Sequence, residues 1–404
     1  MSLWEIKSLS DLITIKHGYA FKGEYFQDSG GYIVLTPGNF HEHGGFRLRQ
    51  GKEKFYGGNF PRDYILAKND LIVAMTEQGE GLLGSTAIVP TSDRFLHNQR
   101  LGLIKQKEDV DLDIYFIYYI FNTKHVRQKI RATASGVKVR HTSPSRIGEV
   151  EIGVPPIKVQ QRIASILSAY DDLIENNTRR IAILEEMARR IYEEWFVHFR
   201  FPGHEQVRMV ESGLGLIPDG WKVVIVSDAV KRFPSGKKYE QKNVLQTGHI
   251  PVLDQGRSGI IGYHNDEPSF LASKEDPVIV FANHTCYQRL IYFPFSAIQN
   301  IIPYKSSPYY RRDIFWLYHA TLGLVKLNDY KGHWPQFSAQ SIIIPDSETS
   351  FRFGQNVGPM HLAAYMLALK NANLSTTRDL LLPKLISGEL DVSQLLEPET
   401  IGIT

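Results

Sequence analysis

The sequence predicts an α+β protein built from two duplicated globular domains, each followed by a long helix, the two helices forming an antiparallel coiled coil. Three observations carry this reading. Short motifs recur in the same order in both halves. Each half opens with short β-like runs rich in Gly and aromatic residues. Each half closes with a long segment whose apolar residues step by three and four.

The repeats come in four pairs. Trp4-Glu5-Ile6-Lys7, followed by Ser10-Asp11, matches Trp221-Lys222-Val223-Val224, followed by Ser227-Asp228. Asp70-Leu71-Ile72-Val73 matches Asp276-Pro277-Val278-Ile279, and Asp113-Ile114-Tyr115-Phe116 matches Asp313-Ile314-Phe315-Trp316. Ile152-Gly153-Val154-Pro155 matches Ile342-Ile343-Ile344-Pro345. The offset shrinks from 217 to 190 residues, as expected if the second copy has lost short loop segments. Within each copy, strand-like runs such as Leu71-Ile72-Val73-Ala74-Met75 precede an aromatic helical segment and a short apolar run ending in Pro.

The first long helix is expected from about Pro156 to Phe196, roughly 60 Å of helix, too long for the inside of one small globule. Its narrow apolar seam suits another helix, and Ile166, Leu173, Leu184 and Ile191 are assigned to pairing. In the second copy Leu362, Met366, Leu369, Leu380 and Leu381 form the corresponding stripe. Asn177 and Asn373 interrupt the two seams; either they pair and fix register, or they are unrelated surface residues. The expected order is a globule at 1–154, a helix at 155–200, a linker at 201–220 rich in turn formers, a second globule at 221–345, a helix at 346–390 and a tail at 391–404.

Composition bounds the function. At roughly 100–200 residues per domain, 404 residues suit two or three domains. The lone Cys286 excludes a disulfide framework and a Cys-rich zinc site. The start lacks an apolar signal core and no run of about 18 apolar residues occurs, so a soluble cytoplasmic protein without membrane contact is expected.

Catalytic signatures are missing. Gly79 to Gly84 fits the spacing of a dinucleotide-binding loop, but the β-like run Ser85 to Val89 follows where that fingerprint needs a helix. Gly236-Lys237-Lys238 lacks the flanking residues of a phosphate loop, and no HExxH spacing occurs among 14 His residues. The tetrapeptides Asn-Pro-Pro-aromatic and Asp-Pro-Pro-aromatic, typical of amino-methyltransferases, are absent. Catalysis by this chain alone, and a bound metal or cofactor, are therefore not expected.

Charge is polarised instead. Between Thr123 and Arg146 stand Lys124, Arg127, Lys129, Arg131, Lys138, Arg140 and Arg146, with His141 and no acid. Such a run suits phosphate contacts along a nucleic acid, although a solvated helix face has the same look. The matching region of the second copy holds Lys326, Lys331, His333, Trp334 and Gln336, groups able to stack or to reach base edges. Further polar candidates on loops are Gln78, Asn283, His284, Gln288 and Arg289.

These residues carry a family resemblance. Pro155-Pro156-Ile157 with Gln160-Gln161-Arg162-Ile163, then Asp172-Leu173-Ile174-Glu175-Asn176-Asn177, Leu184-Glu185-Glu186 and Trp195-Phe196, resembles the central conserved helix of specificity subunits in type I restriction–modification systems. Asp219-Gly220-Trp221 looks like that family's entry to its second target recognition domain. Thr377-Arg378-Asp379 through Ser387-Gly388-Glu389-Leu390 is similar to its distal helix ending, and is the most specific stretch. The second helix start, Asp346-Ser347-Glu348, departs from the Pro-Pro and Gln-Arg pattern. The resemblance implies a non-catalytic subunit whose two target recognition domains each read half of a split, asymmetric site on double-stranded DNA. It implies that the helices dock two methyltransferase subunits and that motor-nuclease subunits join them, with S-adenosylmethionine, Mg2+ and ATP used by those partners. The rival readings are a coiled-coil scaffold with only nonspecific DNA affinity, and an enzyme using the loop at Gly79 to Gly84.

Overall fold

Strand Leu71–Ala74 shows how the first globule is layered. All four residues are buried, and they alternate between two apolar clusters: Leu71 and Val73 face one, Ile72 and Ala74 the other. A strand covered on both faces needs this unbroken apolar run. Val278–Ala282 repeats the arrangement, with Ile279 and Phe281 in one cluster and Val278, Val280 and Ala282 in another. The computed structural model describes residues 4–78, 81–234, 236–256, 259–327 and 332–393.

The duplication extends to topology. In the first globule a four-stranded antiparallel sheet has the order Ile13–His17, Leu101–Gln106, Leu71–Ala74, Thr86–Ile88. In the second the order is Val230–Arg232, Ile301–Ser306, Val278–Ala282, Gln288–Ile291. A separate two-stranded pair closes each globule, with Glu5 opposite Val154 in one and Lys222 opposite Ile344 in the other. A short parallel pairing also recurs, Tyr32–Val34 with Phe95–Leu96 and Ile250–Leu253 with Ser296–Ala297. Falling offsets thus reflect one fold with shortened connections: helix Lys124–Ala132 has no counterpart among the described residues of the second globule.

The central helix spans Ile157–Tyr192 and continues as a π turn, Glu193–Val197; the distal helix spans Ser347–Ile386. The chain divides into two compact units, and both boundaries fall inside these helices, after Glu175 and after Lys370. Each unit therefore contains one globule, a piece of the central helix and a piece of the distal helix. Among the described residues no helix is long and apolar enough to cross a membrane.

In the first unit the two helical pieces run antiparallel, because Asp171 pairs with Arg378 while the Ile174 carbonyl accepts from Asn371 Nδ2 at 3.2 Å. Ile166 is half-buried against the core of this unit. Burial corrects the expected stripe of the distal helix. Leu369 and Leu380 are 42% and 64% exposed and Asn373 is exposed, whereas Phe353, Val357, Ala364, Leu367 and Leu385 are buried. Asn371, Arg378 and Leu381 continue that face, half-buried. The face keeps its three-and-four spacing but carries an amide and a guanidinium, so counting apolar residues slides off it. Leu173 of the central helix is likewise 51% exposed, while Asn177 is buried and Leu184 and Ile191 are half-buried.

One device fastens each globule to its helix. Helix Ile114–Phe121 is apolar on every side, as is most of Ile314–Thr321, so each must be covered all round. Asp113 caps the first by accepting from Phe116 N at 2.9 Å, and the Asp113 N–H donates to buried Gln160 Oε1 at 3.0 Å. Asp313 caps the second by accepting from Phe315 N at 2.8 Å, and its N–H donates to buried Ser350 Oγ at 2.9 Å. Ser350 thus replaces Gln160 where the second copy lacks the Gln-Arg pattern. The close approach also explains two glycines inside the distal helix. A Cβ on Gly354 would lie 2.1 Å from the Asp313 carboxylate, and one on Gly358 would lie 2.7 Å from the Phe315 ring.

An exposed helical Gly→Ala change gains about 1 kcal/mol in helix propensity. Gly354→Ala is expected to do the opposite, since the added methyl displaces a capping carboxylate. A fall in the thermal midpoint of the variant checks this; a rise would mean that the aromatic helix does not press on Gly354.

In the second unit His319 Nε2 and His361 Nε2 lie 2.9 Å apart, with the Tyr192 ring stacked on His319 at 5.4 Å. Burial, reinforced by the neighbouring His361, pushes His319 down to about 3, and burial pushes His361 down to about 4. Between those values and the ordinary 6.5, the unfolded chain binds protons that the folded pair excludes. Stability from this pair is therefore full above pH 6.5 and falls as pH drops toward 4. His361→Gln, which can hydrogen-bond but does not titrate, is expected to flatten the acid-side decline in thermal midpoint; an unchanged decline would contradict it.

Candidate nucleic-acid interface

Strand Thr76–Glu77 leads to the reading candidate of the first globule. Glu77 is 3% exposed, and its Oε2 accepts the N–H groups of Gly81, Leu82 and Leu83 at 3.2, 3.2 and 3.0 Å. The loop is folded around a buried carboxylate, with exposed Gln78 beside it. Arg131 Nε stands 3.7 Å from the other carboxylate oxygen. A phosphate seeking this loop would meet that acid, and Thr86–Ile88 after it is a strand, both unsuited to dinucleotide binding. Gly79 and Glu80 lie outside the described residues.

Arg127, expected on phosphate, is turned inward. Its Nε donates to Leu83 O at 2.8 Å, its NH1 to Glu42 O at 2.9 Å, and its NH2 to Gly81 O. Burial lowers its guanidinium from the ordinary value, against the pull of Glu77 and Glu42. Other cations of the basic run are engaged as well: Lys129 donates to Glu151 O, and Arg146 to Thr133 O and Ser135 Oγ. Four of the seven cations, Arg127, Lys129, Arg131 and Arg146, thus fasten the chain to itself through charge-assisted bonds to carbonyls or to Glu77.

Lys138 and Arg140 share one hairpin. Arg140–His141 pairs with Thr76–Glu77, and His141 Nδ1 lies 3.1 Å from Thr76 Oγ1. Reciprocal backbone bonds between Ser135 and His141 at 2.9 Å close a hairpin. Gly136 turns it at φ +100°, where a Cβ would strike Val139 O. Val137, 96% exposed, and Lys138 form the tip. Lys124 is exposed at the start of helix Lys124–Ala132. Gln78, Lys138, Arg140 and His141 therefore lie on or beside one strand pair of the first globule, while Lys124 and Arg127 stand on the preceding helix.

The second globule brings together fewer of its candidates. Asn283 binds its own chain: its Oδ1 accepts from Trp334 N at 2.7 Å, and its carbonyl accepts from His333 N at 2.9 Å. His333 is buried, and Trp334 packs on Phe281, Tyr304 and Phe337 with Arg232 over its ring at 5.0 Å. Gln288 faces the core, donating to Tyr318 O at 3.1 Å and Thr321 Oγ1 at 2.9 Å. Arg289 donates to Gly259 O at 3.2 Å. Gln288 and His333 are buried, and Asn283, Arg289 and Trp334 are half-buried on the partners just given, so all five make structural contacts, a correction to the expected outward readers. His284 and Gln336 are exposed. Lys331 lies outside the described residues.

Two residues escaped the sequence reading. Glu77 could have been suspected as an acid ending a buried strand immediately before a Gly-rich loop. Gln255 gave no such signal, yet its Oε1 accepts from His284 N at 2.7 Å and its carbonyl from Thr285 Oγ1 at 2.9 Å. Cys286 follows Thr285 at φ +55° with its thiol raised by burial, which suits packing rather than nucleophilic chemistry. Among the described residues no group of three His, Cys, Asp or Glu is arranged to hold a metal.

Comparison with known proteins gives a consistent result. A family model described as the type I restriction modification DNA specificity domain matches residues 1–186. The type I restriction enzyme MjaIX specificity subunit of Methanocaldococcus jannaschii is 26% identical over 97% of this chain and 94% of its own. The MjaVIII specificity subunit of the same organism is 24% identical over 61% of this chain and 53% of its own. The crystal structure of a type I restriction–modification S subunit from M. genitalium matches with a TM-score of 0.63 over 95% of this chain and 96% of that one, at 17% identity. That likeness establishes a shared fold.

Gln288→Ala is expected to act on stability and not on recognition. Removing the amide leaves the buried Thr321 hydroxyl and Tyr318 carbonyl without it, a loss of roughly 1–3 kcal/mol. Chemical denaturation and DNA binding measured on the same variant check this. Normal stability with altered sequence preference would place Gln288 on DNA after all.

Proposed function

We propose that the chain, a member of the type I restriction–modification specificity family, directs a DNA-modifying complex to a two-part sequence, each globule reading one half. The observation that carries this is the duplication of one scaffold with different loops on the same side. Loops after Leu71–Ala74 and after Val278–Ala282 occupy matching places but present Gln78 in one globule and His284 in the other, joined by Lys138 and Arg140 on the hairpin Ser135–His141 in the first and by Gln336 on helix Trp334–Ser338 in the second. A constant sheet with variable loops gives two readers of different sequence, hence an asymmetric site.

Catalysis belongs to the partners in this reading. The chain carries no methyltransferase or nuclease motif, so S-adenosylmethionine, Mg2+ and ATP are assigned to methyltransferase and motor-nuclease subunits. Leu173, Ile183, Met187, Leu369 and Leu380 along the two long helices are 42–64% exposed. Large apolar side chains left in water on paired helices suit docking of two methyltransferase subunits. A scaffold with nonspecific DNA affinity would leave the two different loop sets without a role.

The test is methylation of defined DNA by the purified chain, by its methyltransferase subunit, and by both together. Only the combination is expected to methylate in a sequence-dependent way; activity of the chain alone would overturn the assignment. Positioning and reading should also separate. Lys138→Ala is expected to weaken all DNA alike and lower the salt slope by about one. Gln78→Ala is expected to cost roughly 1–3 kcal/mol on the target, in one half-site only. Equal loss in both halves would contradict independent readers.

A further inference from the structure

In each globule a side chain bridges the two recognition loops, and the two globules use different side chains for it. In the first, Arg127 reaches carbonyls on both loops: Glu42 O on the loop His41 to Gly45, and Leu83 O and Gly81 O on the loop beyond Glu77. Those loops are otherwise joined at their bases, through Gly45 N to Thr86 O at 2.9 Å and Ser85 Oγ to His41 O at 2.7 Å. In the second globule the same two places are the loops Asp254 to Gly256 and Asn283 to Cys286. Gln255 joins them with its side-chain oxygen on His284 N and its carbonyl on the Thr285 hydroxyl. The helix that carries Arg127 has no described counterpart there, so the clamp comes from a different element.

We infer that Arg127 and Gln255 are specificity-determining positioning residues, which hold the reading loops of their own globule at a fixed separation without themselves touching DNA. The inference rests on the proposed reading of DNA by these loops. The physical ground is reach. A guanidinium presents five N–H groups in a rigid fork and can bridge three carbonyls on two loops, whereas an ammonium of equal charge cannot hold that geometry. Base discrimination depends on donors and acceptors held in place, so loops that drift lose selectivity before they lose affinity.

The experiment uses the full chain with its methyltransferase subunits. Binding is measured on the cognate duplex and on duplexes altered in either half, at several salt concentrations. Arg127→Lys is expected to reduce discrimination roughly tenfold in the half read by the first globule, with the salt slope unchanged and the other half unaffected. Gln255→Ala is expected to do the same in the other half only. The unaffected half reports that each variant is folded, and faster amide exchange at Leu82 and Leu83 in Arg127→Lys reports loop release. Arg127→Lys with full discrimination, or Arg127→Ala with full discrimination and a salt slope lower by about one, would overturn the inference. So would equal loss in both halves. A wild-type complex that shows no preference between the duplexes would instead overturn the DNA-reading assignment itself.

Discussion

An aromatic helix that cannot be left in water governs this protein. Ile114–Phe121 and Ile314–Thr321 each bring large apolar side chains to every side, and a single sheet covers one side only. The remaining cover comes from the long helices. The main apolar cluster of the first unit joins Phe116, Ile117 and Ile120 to Ile163, Leu167 and Leu385. That of the second joins Trp316 and Leu317 to Ala188, Phe196, Phe353 and Val357. Globule and helices thus share one core in each unit. The bonds from Asp113 to Gln160 and from Asp313 to Ser350 fix the depth at which the aromatic helix sits. Both long helices are divided between units: the second unit builds its core from one continuous stretch, Asn176–Lys370, whereas the first needs the end of the distal helix to return to it.

The parts of this arrangement that were legible in the sequence are those with a strong periodic or positional signal. Asp113 and Asp313 before aromatic runs marked the repeated helices, and the run Leu71 to Met75 marked a strand. The distal face was misread because Asn371 and Arg378 lie on it, and both are polar residues held by the central helix. The tie from Ser350 was invisible for a related reason: a serine can replace a glutamine only where the backbones come closer, which no sequence pattern records. The basic run was read as uniformly outward. A run of cations shows net charge but not which carbonyl ends lie within reach, and Arg127, Lys129 and Arg146 found them.

On the proposed reading, the two globules divide affinity and selectivity unequally. The first carries an additional basic helix and a cationic hairpin whose tip projects Val137 and Lys138 into solvent. The second presents fewer described cations on the matching loops and more buried aromatic packing, with Trp334, Phe281, Phe337 and Tyr304 in one stack. Charge draws a protein to DNA irrespective of sequence, while loop geometry decides which sequence is held. A constant scaffold with exchangeable loops lets the two tasks vary separately in each half.

The central claim is that one chain supplies both halves of the specificity and no chemistry. Its most direct test is a map of methylated positions across the genome of a host that expresses the partner methyltransferase, with and without this chain. The expected result is a motif of two unlike short sequences separated by a fixed gap, present only when the chain is present. Methylation that persists without the chain, or a motif that is continuous and undivided, would contradict the account.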